Sequence, residues 1–461
     1  MKTNRREFIV GSALAASTLA GCASAAHGGG VEGAPMRGFR CAPMKKIRVG
    51  VVGCGYRGSG AVKRLPKVPG VEVTAVCDVR GKWLDAAADA VEKLTGKKPL
   101  KFGPSPEAYK ALCDSSAVDV VYNCTPWQVH VPVALYAMKA GRHSFIEVPS
   151  AMRVEDCWAL VETAEQTRRH CMQLENCCYG EEELLALNLC RLGMLGELLH
   201  GEGAYIHDRR WQIFGDEQWE RWRNHWNEAH AGNAYSTHGL GPIALYMGIN
   251  RGDRFDYLVS TDGMQRGYEA FAAATLPADN PGRRQRFAMA DMNVTTIRTA
   301  QGRTIMLQHD VTSPRPYSRL NLIAGTKGVF RGYPRLDIFI EGKSEWPTKP
   351  GHHAFDDAKT AAIRREFMHP LYKVAGEVAK KMGGHGGMDF LMDLRWAYCL
   401  QKGLPLDTDV YDLASWCSVS ELSERSARSR SASVDIPDFT RGAWRTPCPC
   451  ALMADSFSFD A

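Results

Sequence analysis

The sequence predicts an α/β domain with a parallel sheet, followed by a domain with an open, largely antiparallel sheet flanked by helices. Apolar, valine-rich runs alternate with helical segments up to about residue 175, and shorter segments of alternating polarity follow them. The composition agrees with a globular protein, since 45% of the 461 residues are hydrophobic and 23% are charged. This balance excludes a disordered chain, a collagen and a polytopic membrane protein.

The distribution of charge bears on nucleic-acid binding, and the spacing of the cysteines bears on metal binding. The 57 basic and 51 acidic residues give a formal net charge of +6, and the basic residues are dispersed along the chain. We therefore expect no nucleic-acid partner. Cysteines such as Cys124 and Cys157 lie within apolar runs, where a thiol behaves as a small hydrophobe. Cys177-Cys178 and Cys448-Pro449-Cys450 lack the spacing of a zinc site, so we predict no metal.

The first residues have the pattern of an export signal. Within residues 1–21, the pair Arg5-Arg6 precedes a short apolar run, as in twin-arginine signals, although a plain secretory signal is the alternative. Leu19-Ala20-Gly21-Cys22 resembles a lipobox, which implies a lipid on Cys22 and a protein anchored in the periplasm or cell envelope. A lipid anchor is the only membrane contact expected, because the run is shorter than the roughly 20 residues of a membrane span. Residues 22–43, rich in Ala and Gly, are predicted to form a flexible tether.

A glycine-rich turn follows the first apolar run of the remaining chain. Ile47 to Gly53 is typical of a strand buried on both faces, and it continues as Gly53-Cys54-Gly55-Tyr56-Arg57-Gly58, a GxGxxG motif. The first glycine permits the tight turn, the second lets the backbone approach a pyrophosphate, and the third lets helix and strand pack closely. The start of the following helix faces the anion. The motif predicts a Rossmann domain, with a doubly wound parallel sheet, over residues 44–175.

The next strand favours NAD as the cofactor. It runs from Val71 and ends at Asp78, a position from which an acid binds the ribose hydroxyls of NAD. Arg80 leaves NADP as an alternative, because an arginine nearby is able to accept a 2′-phosphate.

Further strands and helices alternate after Asp78. Three later strands are predicted at Val118–Thr125, His143–Pro149 and Cys171–Asn176, with helices at Val131–Ala140 and Val154–Arg169. Ligands of such sheets lie beyond the carboxyl ends of the strands. Thr125-Pro126-Trp127, Glu147 and Asn176 stand at those ends. We therefore expect these residues to face the nicotinamide half of the cofactor.

The pattern changes after about residue 195, within a second domain placed at residues 176–461. Short segments of alternating polarity predict a largely antiparallel sheet, with strands at Leu198–Tyr205, Tyr257–Ser260, Asn293–Thr299, Thr304–Gln308, Leu320–Ala324 and Leu336–Ile340. Longer periodic segments predict helices at about 236–248, 357–382, 387–402 and 408–428.

This architecture resembles the Gfo/Idh/MocA oxidoreductase superfamily, whose members carry Glu-Lys-Pro at the end of a core strand. The lysine of that motif assists proton transfer at the substrate hydroxyl. The chain has Glu147-Val148-Pro149 instead. Because valine cannot carry a proton, the sequence does not favour an ordinary sugar dehydrogenase.

Several longer stretches resemble a narrower group, the NAD-dependent glycosidases of glycoside hydrolase family 109. They are Thr167–Met172, Leu174–Tyr179, Gly203–Asp208, Thr237–Pro242 and Gln308–Tyr317. The resemblance implies an α-N-acetylgalactosaminidase that acts on a glycan or glycoprotein with the terminal sugar and retains the anomeric configuration. It also implies a redox-neutral mechanism of oxidation at carbon 3, elimination, water addition and reduction. NAD would then be tightly bound and regenerated in each turnover.

The resemblance, the chemistry of the side chains and their positions along the chain together predict roles for residues of the second domain. His238 is expected to be catalytic, because imidazole accepts a hydroxyl proton near neutral pH. Tyr205 is expected as the carbon-2 base or a sugar contact, and Tyr235 as a further catalytic and substrate-binding group. Arg223 and Tyr317 match substrate-binding positions. Purely structural or solvated side chains are the alternatives for these residues.

The cofactor residues implied by the motif and the match lie in both domains. They are Gly53, Gly55, Tyr56, Arg57, Gly58, Asp78, Trp127, Gln128, Val129, His130, Glu147, Val148, Asn176, Tyr235, Ser236, Thr237 and His238.

Two other functions remain open at this point. One is an exported sugar dehydrogenase with net NAD turnover, and the other is a non-catalytic carbohydrate-binding protein with a residual Rossmann domain. Export argues against the first, because free NAD is scarce outside the cytoplasm. The retained Asp78, His238 and tyrosines argue against the second. The sequence is compatible with a homo-oligomer but does not predict one.

Overall fold

The computed structural model describes residues 33–213, 221–344, 355–448, 450–454 and 457–458. The predicted export signal, Cys22 and the first part of the predicted tether lie outside the described residues. The end of the tether segment packs against the rest of the chain. Met36 is buried, and its backbone N–H donates to the Tyr411 hydroxyl over 3.0 Å.

The first sheet has six strands, all parallel, in the order β3-β2-β1-β4-β5-β6. Its strands are β1 Ile47–Val52, β2 Val71–Cys77, β3 Leu100–Phe102, β4 Val120–Asn123, β5 His143–Ile146 and β6 Cys171–Gln173. The helices that connect them are α1 Tyr56–Arg64, α2 Gly81–Thr95, α3 Ala108–Asp114, α4 Trp127–Lys139 and α5 Val154–Thr167. This order is that of the doubly wound dinucleotide-binding fold, so the prediction of a Rossmann sheet is confirmed.

The second sheet has eight strands in the order β13-β12-β11-β7-β10-β9-β8-β14. They are β7 Leu198–Ile206, β8 Phe255–Asp262, β9 Asn293–Thr299, β10 Thr304–Asp310, β11 Leu322–Gly325, β12 Gly328–Arg331, β13 Asp337–Ile340 and β14 Val434–Asp435. Only β7 and β10 pair in parallel, and every other neighbouring pair is antiparallel. The largely antiparallel sheet is therefore confirmed. The short strands β12 and β14 are absent from the sequence prediction.

The helices of the second domain flank this sheet. Within the described residues they are α6 Glu181–Arg191, α7 Arg210–Ile213, α8 Arg221–Ala229, α9 Thr237–Tyr246, α10 Gly267–Thr275, α11 Asp357–Phe367, α12 Pro370–Met382, α13 Met388–Lys402 and α14 Val410–Arg428. The single helix predicted at 357–382 is divided into α11 and α12. Pro370 begins α12, where the absence of a backbone N–H is tolerated, and His369 caps this helix by accepting from the Leu371 N–H.

The two domains share one apolar core. Val49 of β1, Leu240 of α9 and Trp416 of α14 are all fully buried in the same hydrophobic cluster. Helix α14 contacts α5 of the first domain and β8 of the second. This packing holds the carboxyl ends of the parallel strands close to β7 and α9, where the candidate site lies. Among the described residues, the helices are too short or too polar to traverse a lipid bilayer.

Candidate active site

A cavity of about 460 Å³ lies where the carboxyl ends of the parallel strands meet the second domain. It brings together most of the predicted site residues from both domains. Those that line it are Gly53, Gly55, Tyr56, Arg57, Asp78, Trp127, Val129, His130, Glu147, Val148, Asn176, Tyr205, Arg223, Tyr235, His238 and Tyr317. A volume of this size is typical of small-molecule and cofactor sites.

The glycine turn has no room for side chains. Gly53 has a φ of +85°, which favours glycine. A Cβ on Gly58 would lie 1.8 Å from the Gly53 carbonyl oxygen, and a Cβ on Gly55 would lie 2.2 Å from the Trp83 ring. All three glycines therefore fit the tight turn and the close backbone approach that a bound dinucleotide requires.

Asp78 fixes the shape of this turn as well as lining the cavity. Its carboxylate accepts from the Cys54 backbone N–H over 2.7 Å and from the Arg80 backbone N–H over 2.8 Å. The Arg80 guanidinium lies over the Trp83 ring, 4.9 Å from its centre. Asp78, which is predicted to bind the ribose, therefore also links the turn after β1 to the turn after β2. These features fit the adenosine half of a nicotinamide dinucleotide.

Four predicted cofactor residues do not line the cavity. Gly58 packs against the Gly53 carbonyl, and Gln128 on α4 is exposed to solvent. Ser236 is buried and donates to the Trp416 carbonyl over 3.2 Å, and Thr237 is completely buried. The structure thus places Ser236 and Thr237 in the packing that positions the start of α9.

His238, in the first turn of α9, is paired with a buried acid. Its Nδ1 atom lies 2.6 Å from Oε1 of Glu175, which follows β6 and has only 1% of its side chain exposed. Burial alone would raise the pKa of Glu175, but the charge of His238 and its hydrogen bond hold that pKa below the ordinary value. Because the carboxylate is ionised and can only accept, Nδ1 carries the proton and donates a hydrogen bond to Glu175. Nε2 is then the ring nitrogen left for a ligand.

Tyr205, at the end of β7, has two polar side chains at its hydroxyl. Arg209 donates through Nη1 to the Tyr205 oxygen over 3.2 Å, and Nδ1 of His207 lies 3.1 Å from the same oxygen. Burial and the charges of Arg209 and Arg223 lower the pKa of His207 to about 4, so its ring is neutral at physiological pH. The Arg209 guanidinium is therefore the cation that stands beside the Tyr205 oxygen.

The other two predicted tyrosines line the same cavity. Burial raises the pKa of Tyr235 and the pKa of Tyr317, so both remain hydroxyls that donate hydrogen bonds. The Tyr235 ring lies 4.5 Å from the Tyr205 ring and 4.9 Å from the His238 ring, measured between centres. The Tyr317 ring lies 6.5 Å from that of Tyr205. The three tyrosines and His238 thus surround one space.

Arg223 is held against aromatic rings. Its guanidinium lies 4.9 Å from the ring centre of Trp127, 5.2 Å from that of Trp222 and 5.3 Å from that of Tyr235. Such contacts stabilise a cation and fix its direction. The solvated surface arginine considered as an alternative is therefore not what the structure contains.

A network of charges links the glycine-turn helix to the second domain. Arg57 of α1 contacts Glu147 over 2.8 Å and Asp389 of α13 over 3.3 Å. Asn176 donates to Asp389 over 2.6 Å, and Nδ1 of His385 lies 3.0 Å from the same carboxylate. Burial alone would raise the pKa of Asp389, but the charge of Arg57, the His385 hydrogen bond and Arg64 hold it well below its ordinary value. The buried Asp389 carboxylate thus fixes two predicted cofactor residues, Arg57 and Asn176, and Arg57 in turn pairs with a third, Glu147.

Comparison with known proteins agrees with this geometry. Residues 179–446 match the family described as glycosyl hydrolase 109, C-terminal domain, and residues 47–174 match the oxidoreductase family with an NAD-binding Rossmann fold. The chain is 43% identical over 460 residues to a glycosyl hydrolase family 109 protein of Shewanella pealeana, covering 98% of this chain and 100% of that protein. A Shewanella woodyi protein of the same description is 45% identical over 425 residues, covering 92% of this chain and 91% of its own.

The chain belongs to glycoside hydrolase family 109. It has the NAD-binding Rossmann domain of the Gfo/Idh/MocA oxidoreductases, which makes it an NAD-dependent glycoside hydrolase.

Solved structures resemble this family 109 chain in fold. An oxidoreductase domain protein of Kribbella flavida has a TM-score of 0.65 at 17% identity, covering 86% of this chain and 100% of its own. A levoglucosan dehydrogenase in complex with NADH and levoglucosan has a TM-score of 0.62 at 18% identity, covering 85% of this chain and 99% of its own. At such identities the comparison shows the shared fold.

In this family 109 protein, Val148 stands where the superfamily carries its lysine. Val148 is buried and belongs to the same apolar cluster as Trp127, Tyr205 and Tyr235. The cluster leaves no proton carrier at this position.

Sequence reasoning missed several residues of the site. His207 and Arg209 alternate with Tyr205 along the chain, and this period of two was the signal that their side chains share its face. His385, in the glycine-rich segment before α13, also lines the cavity. Glu175 carried no signal of its own, because its role depends on the approach of α9 to β6.

One cluster among the described residues has the composition of a metal site. Single ligand atoms of Glu175, Cys177 and His238 lie within 4.8 Å of one another. Burial raises the pKa of the Cys177 thiol well above its ordinary value, which disfavours the thiolate that binds metals. The direct contact between Glu175 and His238 accounts for the proximity of the other two side chains.

Proposed function

We propose that this protein removes terminal α-linked N-acetylgalactosamine from glycans, with retention, by a redox-neutral NAD-dependent mechanism. The observation that carries the proposal is the convergence of His238, Tyr205, Tyr235 and Arg223 in the cavity that contains the glycine turn. Family membership supports glycoside hydrolysis, and the buried Val148 disfavours the lysine-dependent dehydrogenase chemistry of the superfamily.

The residues of the first domain fit a nicotinamide dinucleotide. The glycine turn would hold the pyrophosphate, Asp78 the adenosine ribose, and Arg57 with Glu147 the region next to the nicotinamide ribose. Bound NAD supplies a reversible two-electron oxidation at carbon 3 of the sugar, which acidifies the proton on carbon 2. The protein orients the sugar and moves the protons.

His238 handles the proton of the carbon-3 hydroxyl. Nε2 accepts this proton during oxidation and returns it during the final reduction. The imidazolium that forms in between is stabilised by the Glu175 carboxylate at Nδ1, 2.6 Å away. Because Glu175 is ionised and buried, this stabilisation is present before substrate binds.

Tyr205 handles the proton on carbon 2. Its oxygen accepts that proton as the C2–H electron pair forms the double bond between carbons 1 and 2. The bond from carbon 1 to the glycosidic oxygen breaks, and the leaving oxygen takes a proton from water. Arg209, at 3.2 Å, stabilises the negative charge on the Tyr205 oxygen. The hydroxide left from that water then adds to carbon 1, and the Tyr205 hydroxyl returns a proton to carbon 2, which restores the negative charge on its oxygen.

Three further side chains select the substrate. Arg223 presents a cation for a carbonyl oxygen such as that of an acetamido group, and the Trp127, Trp222 and Tyr235 rings hold it in place. The Tyr235 and Tyr317 hydroxyls donate hydrogen bonds to sugar oxygens.

The reaction is tested with purified protein, no added nucleotide and an aryl α-N-acetylgalactosaminide. We expect continuous release of the aglycone with no net accumulation of NADH, and incorporation of solvent deuterium at carbon 2 of the released sugar. Accumulation of NADH that depends on added NAD and on a free sugar would instead support the dehydrogenase. Binding of the glycoside without either reaction would support a carbohydrate-binding protein.

We also propose that the protein is exported with its cofactor loaded and is anchored through Cys22. The arginine pair and the lipobox-like stretch support this, and a tightly held cofactor regenerated in each turnover suits a compartment poor in free NAD. Fractionation of cells that produce the full chain tests the proposal. We expect the wild type in the membrane fraction, release of Cys22→Ser from that fraction, and retention in the cytoplasm when Arg5 and Arg6 are both changed to lysine. An unchanged distribution for both variants would refute it.

A further inference from the structure

A second cavity of about 400 Å³ adjoins the candidate active site. It lies between the start of α6, the turn before β13, helix α12 and the glycine-rich segment before α13. His385 and Met388 line both cavities, so the two spaces meet at these side chains. Its volume is in the range that small-molecule sites occupy.

Tyr317 and Arg319 connect the two spaces. The Arg319 guanidinium lines the second cavity and donates to the hydroxyl of Tyr317, which lines the first, over 3.1 Å. The same guanidinium lies 5.4 Å from the ring centre of Tyr333, another lining residue of the second cavity. The ring centres of Tyr317 and Tyr333 are 6.3 Å apart. A molecule that extends past Tyr317 therefore meets Tyr333.

The cations of the second cavity are all engaged by carboxylates. Arg319 pairs with the buried Glu183 over 2.6 Å. Lys380 lies 3.3 Å from Glu181, and Arg335 lies 3.1 Å from Asp337. These pairs neutralise the positive charge that an anionic ligand would need.

Two polar groups of this cavity have no protein partner within the described ranges of the chain. They are the half-buried carboxyl group of Glu182 and the hydroxyl group of Tyr333. The Glu182 carboxyl lies beside the turn at Gly332, next to Tyr333. Burial and the neighbouring Glu183 raise the pKa of Glu182 to about 7, so near neutral pH this group both donates and accepts hydrogen bonds. A ligand that displaces water from such half-buried groups is held by the hydrogen bonds that it makes with them.

We propose that the second cavity is a subsite for a neutral sugar unit on the leaving-group side of the glycan, held by Glu182 and Tyr333. This inference rests on the proposed function. Because that reaction removes a terminal sugar, all remaining units of the glycan lie on the leaving-group side and must extend out of the active site. The second cavity, which meets the active site at His385 and Met388, gives them a polar space with an aromatic ring.

The lining distinguishes this ligand from other classes. A negatively charged unit would meet the Glu182 carboxyl and find every lining cation named above already paired. An apolar group would leave Glu182 and Tyr333 without hydrogen bonds. A hydroxyl-rich neutral unit satisfies both groups and packs its apolar face on the Tyr333 ring.

Two substrates that share the terminal sugar test the proposal. One is methyl α-N-acetylgalactosaminide, which fills the first cavity only, and the other is a neutral oligosaccharide with the same α-linked terminal residue. We expect Glu182→Ala to lower kcat/KM for the oligosaccharide about tenfold, through KM, and to leave the methyl glycoside unchanged. Tyr333→Phe, which keeps the ring, is expected to lower kcat/KM for the oligosaccharide about threefold. Glu182→Gln should have a kcat/KM for the oligosaccharide between those of Glu182→Ala and the wild type.

A matched control and a binding measurement keep the outcomes separate. Glu197→Ala removes an exposed carboxyl outside both cavities and is expected to change neither substrate. For each protein, kcat/KM for the oligosaccharide is divided by kcat/KM for the methyl glycoside. The same quotient for wild type, Glu182→Ala and Tyr333→Phe would overturn the subsite while the proposed function stands. If the wild type cleaves neither substrate, the proposed function fails. Calorimetric binding of the oligosaccharide without its terminal sugar then decides the subsite: binding lost in Glu182→Ala supports it, and the absence of wild-type binding refutes it.

Discussion

Nδ1 of His238 lies 2.6 Å from Oε1 of Glu175, across the junction of the two domains. Glu175 follows the last strand of the parallel sheet, whereas His238 is in the first turn of α9. The acid is buried and the histidine lines the cavity. The contact therefore fixes which ring nitrogen faces a ligand and places a negative charge behind it.

Glu175→Gln tests this contact. The amide keeps a hydrogen-bond acceptor for Nδ1 but removes the charge that stabilises the imidazolium, so we expect kcat to fall about 100-fold. The Kd for NAD should be unchanged, because Glu175 does not line the cavity. Steady-state kinetics and calorimetry provide both values. Glu155→Gln makes the same chemical change on an exposed side chain and serves as the control. Full activity of Glu175→Gln would show that the pair is only structural.

His238→Ala and Tyr205→Phe separate the two proton transfers. Without His238 the carbon-3 hydroxyl has no proton acceptor, so we expect no absorbance of reduced nicotinamide when substrate is mixed with the NAD-loaded variant. Without the Tyr205 hydroxyl, oxidation is retained and elimination is lost, so reduced nicotinamide should accumulate in a single turnover. Stopped-flow absorbance distinguishes them, with a loss of turnover of about 100-fold or more in each. Deuterium exchange at carbon 2 that persists in Tyr205→Phe would exclude this tyrosine as the base.

Gly58→Ala tests the glycine turn. The new Cβ would lie 1.8 Å from the Gly53 carbonyl oxygen, so the turn must move. We expect a loss of about 1–3 kcal/mol in the free energy of unfolding and at least a tenfold weaker Kd for NAD. Gly81→Ala, at the start of α2, has no heavy atom within 4 Å of its new Cβ and is the matched control. Similar affinities for NAD in both variants would contradict this role of the third glycine.

Asp389→Asn tests the buried carboxylate that fixes Arg57 and Asn176. The pKa of Asp389 is held below its ordinary value of 3.8, so its ion pairs stabilise the folded protein above that pH and are lost as the pH falls through the folded pKa. We expect the variant to be less stable by about 3 kcal/mol near neutral pH, and the difference to shrink below about pH 3.8. Urea unfolding over this range measures it. Asp85→Asn breaks an exposed ion pair with Lys101 and should change stability by less than about 1 kcal/mol. A difference that does not vary with pH would mean that the charge of Asp389 is not what stabilises the fold.

Much of the fold was predictable because local patterns determine it. Apolar strands, the glycine turn and the acid after β2 are encoded within short stretches, and the structure has them where the sequence placed them. The single predicted helix at 357–382 is two helices, because Pro370 starts a new one. Strand β12 was missed because only two of its four residues, Val329 and Phe330, are apolar, although it completes the sheet by pairing with β11 and β13.

The sequence by itself determined the two kinds of sheet, the glycine turn and the resemblance that singled out His238, Tyr205 and Arg223. These depend on residue types at short spacing, which a single chain displays directly. Only the tertiary structure decided that Glu175 supports His238, that Arg209 stands at the Tyr205 hydroxyl, and that Asp389 holds Arg57. Such pairs join distant elements or depend on side-chain direction, and burial gives them their strength by removing competing water.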